Sequence, residues 1–194
     1  DYLKMNELQT DLNKLNEEIT KSLIQKNQRS AGNKNISVTT INKEEYELNS
    51  KKDFHVLSDI NNLDSKLETA TLMAKNDFCN IWYIDNTDTV ELTDSSTFDL
   101  LAQKFARIYE TEVEILGTHK YQIKFYDYFI DPSEKINIIV YDINYDSHAD
   151  QNYGVFGLFY NADCYKQSSL NEQYKSNETQ CIYVDSYFLS NYQN

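Results

Sequence analysis

The sequence predicts an α+β (mixed α/β) fold: a twisted mixed sheet of about five strands backed by one long helix, with an amphipathic helix ahead of it. Three observations carry that expectation. Apolar runs of strand length recur with turn residues between them, in LETATLMA, FCNIWYID, INIIVYDI, GVFGLFY and CIYVDSYFL. One stretch after the second run has apolar residues at helical spacing instead. The composition, 40% apolar with 16 Tyr and 9 Phe in 194 residues, supplies enough side-chain volume for a core.

In chain order, Met5, Leu8, Leu12, Leu15 and Ile19 form a single apolar seam, which predicts an amphipathic helix over residues 1–26. It would be a stalk, a helix packed on its own domain, or a short self-associating coiled coil. Residues 27–65 read as a linker and accessory segment. NQRSAGNKN is polar, ISVTTI (36–41) has the alternation of a strand, and 43–65 is charged and irregular, with Phe54, Val56 and Leu57 as anchors. The main domain is expected to start at Lys66.

LETATLMA and FCNIWYID are separated by Lys75, Asn76 and Asp77, which predicts a hairpin. Thr93, Asp94, Ser95 and Ser96 offer N-cap oxygens, and Ser96 with Asp99 has capping-box spacing. The helix that follows is expected to bury Phe98, Leu101, Ala102, Phe105, Ile108, Tyr109 and Val113 and to end at Gly117. Residues 121–130 are aromatic and alternating, and INIIVYDI is continuous enough to be a central strand covered on both faces. GVFGLFY, interrupted by Gly157, is another strand. A long polar loop over 161–180 leads to CIYVDSYFL (181–189), the last strand.

The composition also excludes functions. With 18 Lys+Arg against 31 Asp+Glu the net charge is −13, which argues against nucleic-acid partners, since those need cations to displace phosphate counterions. No run approaches the roughly 18 apolar residues of a membrane span. The chain opens on Asp1 and closes on FLSNYQN, so processed or trimmed ends are expected.

Catalytic signatures are sparse. No HExxH, GxSxG, P-loop or dinucleotide glycine pattern occurs, and His55, His119 and His148 share no helical face. Asp142, Asn144, Asp146 and Asp150 place hard oxygen ligands at positions 1, 3, 5 and 9 of a calcium-type loop. Ser147 and Tyr153 stand where that loop needs Gly and Glu, so a solvated acidic loop is the alternative. Cys79, Cys164 and Cys181 cannot all pair. Cys79 and Cys181 read as buried small hydrophobes, with a Cys164–Cys181 bridge as the rival.

In order and spacing, FCNIWYID, LLAQKFARIYE, DPSEKINIIVYDI, GVFGLFYNAD and CIYVDSYFL resemble the part of hyicolysin-type bacterial zinc metallopeptidases that precedes the active-site helix. The resemblance spans residues 66–189. It implies a zincin-like upper lobe over 66–194, in an extracytoplasmic protein, secreted or on the cell surface. It also implies that Tyr183-Val184-Asp185 runs up to a His-Glu-x-x-His helix beyond Asn194, where zinc and the general base would lie. This chain alone would then supply no catalytic or metal residue. GVFGLFY would be the edge strand that binds extended peptide, with Gly154, Val155, Phe156, Gly157 and Leu158 as the substrate-binding residues. The glycines would leave room for a second backbone, or Gly157 would mark a bulge. The other class of function is a non-catalytic extracytoplasmic binding or interaction module.

Overall fold

The computed structural model describes residues 45–62, 64–86, 92, 94–116, 135–146 and 154–191. In the first 44 residues it describes only Thr10, Lys14, Glu17, Glu18 and Lys21, each helical, with Lys21 3.1 Å from Glu17. The rest of the expected helix over 1–26 lies outside the described residues, as do ISVTTI, Gly117 and 121–130.

The described chain forms a curled, mixed, six-stranded sheet: β1 (Lys51–Asp59), β2 (Asp64–Lys75), β3 (Cys79–Tyr83), β4 (Ile136–Tyr141), β5 (Gly157–Leu158) and β6 (Cys181–Asp185). Two helices accompany it, α1 (Ser95–Leu116) and α2 (Ser186–Asn191). The spatial order is β1-β2-β3-β4-β6-β5, with β3, β4 and β6 parallel and the other pairs antiparallel.

Alternation along the strands builds two cores. In β3 and β4, Cys79, Ile81, Tyr83, Ile138 and Val140 face α1, where Phe98 and Ala102 meet them. Trp82, Ile139 and Tyr141 point the other way, onto Phe54, Val56, Leu72 and Tyr183. β4 is covered on both faces, as its continuous apolar run predicts. Asn137 is the polar exception: its Oδ1 accepts the Trp82 indole N–H at 2.8 Å, and its Nδ2 donates to Thr179 at 3.0 Å.

Several expectations are corrected. Among the described residues the sheet has six strands rather than about five, and it starts ahead of Lys66: β1, in the stretch expected to be irregular, pairs with β2 from Lys51↔Thr71 to Asp59↔Asp64. Its outward backbone groups are satisfied from the far side of the curl. Asn177 accepts the His55 N–H at 2.7 Å and donates to its carbonyl at 2.9 Å, while the Tyr141 hydroxyl donates to the Leu57 carbonyl at 3.0 Å. These side chains, rather than a further strand, bond His55 and Leu57 on the outer side of β1.

The β2–β3 hairpin forms as expected, and Asn76 makes its turn. Its Oδ1 accepts the Phe78 and Cys79 N–H groups, and its Nδ2 donates to the Ala102 carbonyl, tying the hairpin to α1. The α1 cap is Asp94 rather than a Ser96/Asp99 box: its carboxylate accepts the Ser96 N–H at 2.8 Å and hydroxyl at 2.7 Å. Ile108, expected inside, is 56% exposed, and the buried residues of α1, Thr97, Phe98 and Ala102, all fall in its first half. CIYVDSYFL is a strand only to Asp185. There the Asp185 carboxylate accepts the Phe188 N–H at 3.1 Å, an N-cap that turns the backbone into α2. The 161–180 segment is the long loop expected, with two short 3-10 turns, and it buries Tyr165, Leu170 and Tyr174. All three cysteines are free thiols, so no Cys164–Cys181 bridge forms.

Candidate functional site

Among the described residues β5 is the open edge of the sheet, paired on one side with β6 through Gly157↔Val184 and Leu158↔Tyr183. The Phe156 carbonyl accepts the Asp185 N–H at 2.9 Å, extending the same register by one residue. In an antiparallel ladder the residues that bond inward alternate with those that bond outward. With Phe156 bonding inward, the Gly157 N–H and C=O point to the open side.

The five expected substrate-binding residues therefore take different places. Gly154 is buried, at φ 153°, a conformation that favours glycine. Val155 is half-buried against the inner core, and Leu158 is buried in it. Phe156 and Gly157 are exposed. The space at Gly157 has a local cause: a Cβ there would sit 2.7 Å from the Tyr183 carbonyl oxygen of β6. Phe156, 52% exposed, lays its ring 4.0 Å from that of Phe188 in α2, centroid to centroid, and Phe188 meets Tyr187 edge-on at 5.6 Å. The sequence gives no local sign of the Phe156–Phe188 pair, since it depends on the register of two strands separated by the 161–180 segment.

Behind this edge lies a buried acidic framework. Asp185 accepts the Ile143 N–H at 2.9 Å as well as that of Phe188, so one carboxylate holds both the turn after β4 and the start of α2. Burial, against the pull of those two bonds, pushes its carboxyl up to about 6. Next to it the Ser186 hydroxyl is fully buried and has no hydrogen-bond partner among the described residues. Asp163 is fully buried, its carboxylate accepting the Tyr183 hydroxyl at 2.5 Å and the Asn177 N–H at 2.8 Å. Desolvation outweighs those bonds and raises it to about 7.

In the acidic loop, Asp142 Oδ1 accepts the Asp146 N–H at 3.2 Å and Asn144 Oδ1 accepts the Ile60 N–H at 2.8 Å. Backbone donors thus engage two of the oxygens that a calcium-type loop would offer. Asp150, His119 and His148 lie outside the described residues. His55 lines an open cleft of about 1080 Å³ with Gln167, Asn171 and Lys175, and burial followed by the Lys175 charge lowers its pKa. Among the described residues no group of three or more His, Cys, Asp or Glu is placed to hold a metal ion. They do not fit a zinc site, and no helix among them is long and apolar enough to cross a membrane.

No curated protein matches the chain. A family model described as Peptidase M30 matches residues 59–192, well over half of the sequence.

Proposed function

The chain belongs to the peptidase M30 family, and from that premise we propose that it is the substrate-binding part of an exported bacterial zinc metallopeptidase, ahead of the helix that holds the metal. In this reading the domain is a zincin-like upper lobe, and the outer edge of β5 pairs with an extended peptide. Residues 154–158 supply that edge, with the N–H and C=O of Gly157 as its outward donor and acceptor. The observation that carries the reading is this open edge, antiparallel to the strand that ends in Tyr183-Val184-Asp185.

No cluster of three or more zinc-ligating side chains lies among the described residues; in this reading a His-Glu-x-x-His helix after residue 194 would hold the metal and supply the general base. Zinc, once held there, would activate a water for attack on the peptide bond. The 194-residue chain alone is then inactive. Residues 1–26 are a stalk or self-associating helix in the same reading. The exposed rings of Phe156 and Phe159 would also suit the second reading, a non-catalytic extracytoplasmic binding module using the same edge.

Two measurements separate these. The reading frame past Asn194 should encode HExxH within about 30 residues, and its absence would end the peptidase reading. The full-length product should carry about one zinc per chain. A zinc-free product favours the binding module.

A further inference from the structure

Phe156 makes an unusual use of an aromatic side chain. Two residues on, Leu158 enters the core, yet the Phe156 ring stays 52% exposed at the sheet edge. It lies against Phe188 at 4.0 Å, on the short helix that Asp185 caps, and Asp185 also fixes the Phe156 carbonyl. The two rings are therefore held in place by one residue acting through its backbone and its carboxylate. Together they present an apolar platform beside Gly157, whose N–H and C=O face outward. Paired apolar rings beside outward-facing backbone groups suit an extended peptide that carries an apolar side chain.

A peptide that bonds Gly157 has its neighbouring residue opposite Phe156, with that side chain on the Phe156 face of the sheet. Gly157 has no side chain of its own to crowd the strand. We propose that Phe156 and Phe188 form a subsite selecting a large apolar, above all aromatic, side chain at that position of an extended peptide. The inference rests on the edge-strand reading of β5 and adds to it the class of residue selected.

The test uses the 194-residue chain and capped octapeptides of polar sequence carrying one central Phe or, in its place, Ser. A third peptide carries the Phe and an N-methyl group on the amide of the residue that faces Gly157. The Phe peptide should bind about tenfold tighter than the Ser peptide, and N-methylation should weaken it by a similar factor. Phe156→Ala should bring the Phe and Ser peptides to within about twofold while sensitivity to N-methylation persists. Phe188→Ala should shift the preference in the same direction, with circular dichroism showing both variants folded. Binding that ignores N-methylation, or no binding of any peptide, overturns the edge reading and this inference with it. Binding that needs the backbone amide but shows no Phe preference, or keeps that preference in Phe156→Ala, overturns the aromatic subsite alone.

Discussion

Asp185 donates its backbone N–H to the Phe156 carbonyl at 2.9 Å while its carboxylate accepts the Ile143 and Phe188 N–H groups. One residue thus sets the register of the edge strand, the turn after β4 and the start of α2. Asp185→Ala keeps the backbone bond but strands two buried N–H donors. It should destabilise the domain by about 2–4 kcal/mol. A denaturant midpoint close to that of wild type would show that the carboxylate does not hold these elements together.

Gly157→Ala tests the β5–β6 register directly. The added methyl would lie 2.7 Å from the Tyr183 carbonyl oxygen, which belongs to the backbone and yields only if the edge strand moves. A loss of about 1–3 kcal/mol is expected. The alanine variant should melt several degrees lower, whereas an unaltered melting temperature would place β5 in another register.

Asp163 gives the domain a pH dependence of known sign. Its carboxyl is raised from 3.8 to about 7 in the fold, so between these values the folded state binds more protons than the unfolded one. The stability it contributes is complete below about pH 4 and is lost as pH rises through about 7. For this group alone the loss is about 4 kcal/mol. Asp163→Asn mimics the protonated carboxyl, so the stability difference between variant and wild type should move in favour of the variant from pH 4.5 to 7.5. Parallel stability curves for the two proteins would contradict the assignment.

Along α1 the burial is graded, and large-to-small substitutions should follow it. Phe98 is fully buried and Leu101 only half-buried. Phe98→Ala should cost about 3–5 kcal/mol, Leu101→Ala about half as much, and Ile108→Ala close to nothing. Urea titration of the three variants checks the order, and a costly Ile108→Ala would mean that the outer face of α1 is covered.

The parts of the fold that were legible in the sequence are those whose causes are local. The hairpin around Asn76, the helix from Ser95 and the doubly covered β4 each announce themselves by spacing and turn chemistry within a few residues. β1 does not, because its sequence KKDFHVLSD is charged at one end and its outer edge is satisfied by Asn177 and Tyr141, far along the chain. The switch from strand to helix at Asp185 was hidden by the continuing apolar run, although an Asp before Ser186 is an ordinary N-cap. At the candidate site the glycines were visible as residues that admit a close backbone. Only the structure shows that at Gly157 this backbone is β6 itself, and that Phe156 has a partner in Phe188.

The most direct measurement is hydrolysis of an internally quenched peptide by the full-length product, before and after 1,10-phenanthroline. A peptidase of this family should cleave it, stop when the chelator removes its metal, and recover when zinc is restored. A folded full-length product that cleaves nothing, or cleaves equally well in the chelator, would contradict the assignment of this domain to a zinc metallopeptidase.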